Sequence, residues 1–270
     1  MTTAPGPPEP EPDAWSGAGV RLERDGALAT VTLARPEKRN AQTPATWRAL
    51  AAVGEALLAD AGVRVVVLRA EGASFSAGMD RAMFTTGVDG EPGLVGLAAL
   101  DDAALDAVID GFQRAFAWWR DDRVVSIAAV QGHAVGAGFQ LALACDLRVL
   151  ADDAQLSMKE PSLGLVPDLG GTQPLVDLVG YSRALEICAT GRWVGAAEAA
   201  ATGLATIVVP GDELDAATRD LAAAVLAAPA GSVRATKALL RGAGSRTYDE
   251  QRAAERAAQA GRLRDLVKGS

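Results

Sequence analysis

Residues 127–172 read IAAVQGHAVGAGFQLALACDLRVLADDAQLSMKEPSLGLVPDLGGT, and the fold turns on how this stretch is parsed. It opens as an apolar strand, passes through Gly132, Gly136 and Gly138, and continues with helix-like spacing at Phe139, Leu141, Leu143 and Ala144. A buried strand that feeds a glycine turn and then a helix start presents free backbone N–H groups to whatever lies in front of it. Beyond the helix, 147–150 and 155–157 read as short strands around the turn ADDA.

Upstream, the same architecture is prepared once before. Segments 20–24 and 28–34 flank Asp25-Gly26 and read as a hairpin. Thr43 then caps, and Pro44 starts, a helix running to about residue 60 with Trp47, Leu50, Val53, Leu57 and Leu58 on its apolar side. Residues 63–69 form a β-branched run expected as a buried strand, and the loop AEGASFSAGMD follows directly. Loops at the carboxyl ends of parallel strands are where open α/β folds place ligands. Residues 83–100 carry no readable motif; a helix is predicted over 101–120 and a second buried strand over 124–130. Two strand–glycine loop–helix units therefore stand in tandem.

Downstream, helices are predicted at 172–179, 182–190 and 196–201, then a strand at 205–209. From 212 the pattern is helical only, over 212–228, 231–241 and 247–264. The expected organisation is a disordered Pro- and Glu-rich tail over 1–14, a core domain over 15–209, and a helical region over 210–270. That last region carries more apolar surface than three lone helices can bury, which predicts packing on a neighbouring subunit.

Composition narrows the function. The 270 residues, 49% hydrophobic and 22% charged, describe one sizeable globular core. A net charge of −8 argues against a nucleic-acid surface, which needs clustered Lys and Arg. No apolar run reaches the roughly 20 residues of a membrane span, and the first residues lack a signal-peptide pattern. Cys145 and Cys188, without CxxC spacing, supply no metal set and suit a reduced, cytoplasmic protein.

The sequence resembles the crotonase superfamily, or enoyl-CoA hydratase/isomerase family, through RPEKRNA at 35–41, SFSAGMD at 74–80, AVQGHAVGAGFQLALACDLRV at 129–149, EPSLGLVPDLGGTQPL at 160–175 and ATGRWVGAAEAAATGLATIVV at 189–209. These pieces fall in the family's order from about residue 18 to 260. The resemblance implies an α/β spiral of ββα units with a C-terminal helical trimerisation region, a homotrimer or hexamer, and acyl-CoA thioester substrates. Coenzyme A would enter as part of the substrate, with no separate cofactor and no metal. It also implies an oxyanion hole for a thioester enolate, formed by the backbone N–H groups of Met79 and Ala137. Lys38, Arg39 and Ala41 match positions that hold the CoA adenine and phosphates; Ala77 and Asp80 border the same pocket, and Gly136 lets the thioester approach. EKR after a strand is also an ordinary solvated turn.

The acid/base positions depart from the family's hydratases, which use two glutamates. The first position is Gln140; the second is Glu160. An amide orients water but moves no proton, and acid/base groups supply roughly 10²–10⁴-fold in rate. The family's PGxGG here reads Pro167-Asp168-Leu169-Gly170-Gly171, placing a carboxylate eight residues beyond Glu160. Enoyl-CoA isomerases of the family use one glutamate at the Glu160 position, and dienoyl-CoA isomerases add an aspartate at the Asp168 position. The resemblance thus implies double-bond isomerisation with Glu160 and Asp168. The alternatives are a hydratase with an altered acid/base pair and a non-catalytic acyl-CoA-binding protein. Asp168 also reads as a turn residue after proline, Gln140 as a helix-surface amide, and His133, the single histidine, as structural.

Overall fold

The computed structural model describes residues 15–268 except 86 and 89, so the expectation of a disordered tail over 1–14 lies outside the described residues. Strands β1 (Val20–Asp25) and β2 (Leu28–Leu33) form the predicted hairpin, with Gly26 and Ala27 as its two-residue loop. Helix α1 (Pro44–Ala59) starts as the sequence requires: Thr43 Oγ1 accepts from Thr46 N at 3.2 Å and proline occupies the first turn. Then come β3 (Val65–Ala70), the small hairpin β4 (Gly87–Val88) and β5 (Glu91–Pro92), and helices α2 (Leu94–Leu97) and α3 (Asp102–Ala117). The strand–turn–helix centre consists of β6 (Val125–Val130), β7 (His133–Val135), α4 (Ala137–Ala144), β8 (Leu147–Ala151) and β9 (Gln155–Ser157). The chain finishes with α5 (Thr172–Val179), α6 (Tyr181–Thr190), β10 (Val194–Gly195), α7 (Ala196–Thr202), β11 (Ile207–Val209), α8 (Leu214–Ala227), α9 (Ala230–Ala243) and α10 (Tyr248–Lys268).

A six-stranded sheet orders these strands β1-β2-β3-β6-β8-β11, parallel throughout except for the β1–β2 hairpin. A small sheet, β10-β9-β7, lies beside it. The chain leaves each central strand of the large sheet for the small one, β6 to β7 and β8 to β9, before entering a helix. After β3 a single parallel bridge, Ser76 to Ala134, does the same. Repetition of this step makes the ββα units.

The large sheet is buried on both faces, which is why β3 and β6 read as near-continuous apolar runs, each with one polar residue, Arg69 and Ser126. Val66, Leu68, Ala128, Val130 and Leu150 join the core that includes α1, α3 and α4. Val65, Val67, Ile127, Ala129 and Val149 face the other way and are covered by Leu214 and Ala222 of α8. The helical stretch after Pro210 is thus joined to the sheet through α8. Helix α9 adds one buried ion pair: Lys237 Nζ donates to Asp146 Oδ2 at 2.6 Å and to the carbonyls of Asp121 and Val124 at 2.8 and 2.7 Å.

Two elements beside the central strands differ from the sequence reading. The helix predicted over 101–120 stops as α3 at Ala117 and tightens into a 3-10 turn over Trp118–Arg120, in which the Trp118 and Trp119 rings stack at 3.9 Å and both are buried. The glycine turn predicted between β6 and α4 contains the three-residue strand β7, too short to show a period-2 pattern.

Candidate active site

Two loops meet where the central strands end. The first, residues 71–80 after β3, is tied to the segment 35–42. Asn40 adopts a left-handed conformation (φ 52°) and donates through Nδ2 to the carbonyls of Glu71 and Ser74 at 2.8 and 2.9 Å. Ala77 N donates to Arg39 O at 2.8 Å, and Ser76 Oγ to Asn40 O at 2.8 Å. Buried Gln42 donates from Nε2 to Ser76 Oγ at 3.1 Å and accepts from Trp47 Nε1 at 2.7 Å. Asn40, Gln42 and Ser76 are thus organising residues that the sequence reading did not single out. The only prior signal was Asn40, an Asn after a Pro-Glu-Lys-Arg turn being a residue that tolerates φ above zero.

This lacing brings together the residues expected around the nucleotide. Lys38 and Arg39 are exposed, at the end of a 3-10 turn over Pro36–Lys38. Ala41 O accepts from Arg35 Nη1 at 3.0 Å, and Arg35 Nη2 reaches Asp80 Oδ2 at 3.5 Å. Asp80 Oδ1 caps the next turn by accepting from Ala82 N at 3.1 Å, while Ala77 is exposed beside it.

Between Ala77 and Asp80 the chain makes a parallel bridge with Gln42: Gln42 N donates to Gly78 O at 2.7 Å and Asp80 N to Gln42 O at 2.8 Å. That pattern leaves the Met79 N–H outside the ladder. Ala137 opens α4, so its N–H has no helical acceptor. The two loops touch at Gly78 (φ 84°), where a Cβ would lie 2.4 Å from Val135 O and 3.5 Å from Ala137 N. Only glycine fits that approach. Arg148, buried beneath the other end of α4, donates to Cys145 O at 2.8 Å and Leu204 O at 2.6 Å, and Arg120 Nη2 to Leu143 O at 3.2 Å. Two cations at its C-terminus suit the helix dipole, whose positive end is the Ala137 end.

Glu160 sits against this helix start. Gly136 (φ 51°) precedes Ala137, and a Cβ there would meet Glu160 Oε1 at 3.1 Å and Oε2 at 3.5 Å. Gln140 lies fully buried rather than on the helix surface: its Nε2 donates to Glu160 Oε1 at 2.7 Å, and its Oε1 accepts from Leu169 N at 2.9 Å and Gly171 N at 3.3 Å. The two backbone donors fix which end of the amide is oxygen. Glu160 Oε2 is buried and has no hydrogen-bond partner among the described residues. Burial raises the Glu160 carboxyl above the ordinary glutamate range and the charge of Asp168 adds to the rise, against the lowering effect of Gln140. Asp168 is itself raised by burial. Its carbonyl accepts from Gln113 Nε2 of α3 at 2.6 Å, a contact with no sequence signal, since one polar residue on an amphipathic helix looks like any other.

The remaining titratable groups play other parts. Burial pushes the Cys145 thiol up to about 12, which makes it an inert core residue. His133 is exposed, with Nδ1 3.4 Å from Ser74 Oγ and its ring edge-on to Trp193. Arg262 pairs with Asp265 along α10. Among the described residues no His, Cys, Asp and Glu cluster could hold a metal ion, and no helix is long and apolar enough to cross a membrane.

The comparisons agree with this fold. The family pattern described as enoyl-CoA hydratase/isomerase matches residues 23–264. A probable enoyl-CoA hydratase of Mycobacterium bovis is 31% identical over 221 residues, covering 81% of this chain and 79% of the relative. The crystal structure of a Thermobifida fusca protein assigned as an enoyl-CoA hydratase superimposes with a TM-score of 0.92 at 53% identity, over 97% of this chain and 98% of that one. The same protein in complex with acetoacetyl-CoA gives 0.91 at 53% identity, over 95% and 99% of the chains. The chain belongs to the enoyl-CoA hydratase/isomerase family, and its α/β architecture is the crotonase fold. It is an enzyme of that family by these matches, and its particular reaction is argued from its own residues below.

Proposed function

We propose that this protein shifts a double bond in an enoyl- or dienoyl-CoA thioester. The observation that carries the reading is the hydrogen bond from Gln140 Nε2 to Glu160 Oε1, which places a neutral amide where a second acid/base carboxylate would stand and leaves one oxygen, Oε2, unpartnered. A thioester carbonyl between the N–H groups of Met79 and Ala137 becomes an enolate when a proton leaves a carbon conjugated with it. Glu160 Oε2 takes that proton, and its pKa, raised by burial above the ordinary glutamate range, suits a base that must also give the proton back. Return of a proton to a different carbon, from Glu160 or from Asp168, completes the migration; no atom is gained or lost and no water is consumed.

The CoA moiety is assigned to Lys38, Arg39, Ala41, Ala77 and Asp80, whose loops are laced together beside Met79. Support for a thioester ligand comes from the Thermobifida relative, solved with CoA and with acetoacetyl-CoA. Self-association as a trimer or a dimer of trimers is part of the proposal, since Leu263, Leu266 and Val267 of α10 are exposed apolar residues.

A second reading, hydration, is favoured by the names of the relatives. In it Glu160 and Asp168 grip one water between them. Incubation of the purified protein with trans-2-, cis-3- and dienoyl-CoA esters, followed by absorbance and mass, separates the two. Interconversion of the isomers at constant mass is expected; turnover of none of them overturns the enzymatic reading and leaves an acyl-CoA-binding protein.

A further inference from the structure

The segment Pro167–Gly171 is held by two glutamine side chains from different helices. Gln140 of α4 accepts from Leu169 N at 2.9 Å and from Gly171 N at 3.3 Å; Gln113 of α3 donates to Asp168 O at 2.6 Å. These bonds fall on three of four consecutive residues and include the backbone of Asp168 itself. The segment begins at Pro167 and runs into the start of α5, and it belongs to no strand, so no ladder fixes the backbone that carries Asp168. Gln140 serves a second purpose with its other end, donating to Glu160 Oε1 at 2.7 Å. One amide therefore sets Glu160 and one side of the Asp168 segment; Gln113 sets the other side. Gln113 is half-buried, one residue from Phe112, whose ring packs on Trp47 at 4.7 Å, so it projects from a helix already locked to α1.

We propose that Gln113 is a positioning residue: through the Asp168 carbonyl it fixes the separation between the Asp168 and Glu160 carboxyl groups, and with it the strength of their interaction. This rests on the acid/base roles proposed above, but the separation it fixes exists whether or not the protein turns over a given thioester. A single N–H···O bond to a carbonyl is enough for this purpose because the alternative, an unpaired half-buried carbonyl, drives the segment to find a new partner. Two titratable groups of the described residues stand close to Glu160 and are kept constant in the test: Cys188 of α6, whose thiol is raised by burial and by Glu160, and the chain neighbour Lys159, whose Nζ donates to Gly191 O.

The test uses Gln113→Met, which keeps chain length and removes the donor, with Gln113→Leu as a second variant, each alone and combined with Asp168→Asn. The Glu160 ionisation is followed by NMR of carboxyl-labelled protein, its signal assigned by its loss in Glu160→Gln. With Gln113 present, Asp168→Asn should lower the Glu160 midpoint; in the Gln113→Met background the same substitution should lower it by less than half as much. If the lowering is equal in both backgrounds, Gln113 does not set the separation and the proposal falls. Where turnover is found, Gln113→Met should reduce kcat about tenfold with KM nearly unchanged, as a loss of alignment does. No further reduction should occur when Asp168→Asn is already present. Additive losses, or a loss confined to KM, would overturn the proposal. Absence of turnover in the unaltered protein would sink the enzymatic reading, with the NMR comparison still deciding the role of Gln113.

Discussion

Gln140 and Glu160 are joined by a 2.7 Å hydrogen bond in which the amide donates and the carboxylate accepts, and the amide oxygen is already occupied by two backbone donors. The Gln140 oxygen has no lone pair left for a water or a substrate, and the amide keeps one spare N–H, which can donate a hydrogen bond but moves no proton. It holds one oxygen of Glu160 and leaves the other to react. Gln140→Glu puts a second negative charge 20 residues away in sequence but in direct contact, so the pair must share a proton. Hydration of a trans-2-enoyl-CoA is expected to rise by about tenfold or more, as a second acid/base group appears. Isomerisation is expected to fall. Initial rates of both reactions on one enoyl-CoA check this, and unchanged partition between the products would refute it.

Gly171 faces the same amide. A Cβ there would lie 2.7 Å from Gln140 Cγ and 3.1 Å from its Oε1, and fully buried Gln140 has nowhere to retreat. Gly171→Ala is therefore expected to displace the amide and free Glu160 Oε1. The reading is kcat, with a loss of at least about tenfold and a KM little altered. A variant of normal kcat would show that the Gln140 contact is dispensable.

Ionisation of the site has a worked sign. Burial holds both Glu160 and Asp168 above their ordinary values, so the folded state binds their protons more tightly than the unfolded chain. Between the ordinary and the raised values, stability must fall as pH rises. The base form of Glu160 appears over the same window, so kcat/KM should rise there. Glu160→Gln removes the cost of a buried charge, and its melting temperature at neutral pH should exceed that of the unaltered protein. Thermal unfolding at several pH values tests this; a lower melting temperature for Glu160→Gln at neutral pH would contradict it.

Away from the site, Lys237 is the anchor of α9. Burial lowers its ionisation, and its three acceptors are the Asp146 carboxylate and two carbonyls. Lys237→Met leaves the Asp146 carboxylate without a cation, held only by Ser126 N and Oγ at 2.9 and 3.1 Å, and the expected loss is about 3 kcal/mol of unfolding free energy. Urea titration reads it directly. A loss below about 1 kcal/mol, the size of an exposed pair, would mean that α9 is held by other contacts.

The large-sheet strands were legible in the sequence for a physical reason: β3 and β6 are covered on both faces, so they are apolar at every position but one, Arg69 in β3 and Ser126 in β6. The small sheet was not, because β7 and β10 have three and two residues and owe their existence to partners 22 residues away for β7 and 38 and 40 for β10. At the site, Glu160 and Gln140 could be placed from their motifs. The sequence left Gln140 between an orienting amide and a surface residue, and its burial and three partners decide that. Gln113 and Gln42 were invisible because their significance lies in what a distant loop brings to them.

The central claim, proton transfer by Glu160 without activation of water, is tested most directly by one reaction. A cis-3-enoyl-CoA is incubated with the enzyme in ¹⁸O-labelled water and the products are weighed by mass spectrometry. The account predicts the trans-2 isomer at unchanged mass, with no ¹⁸O taken up, and loss of the reaction in Glu160→Gln. A main product that carries ¹⁸O as a new hydroxyl group, or isomerisation that survives Glu160→Gln, would contradict it.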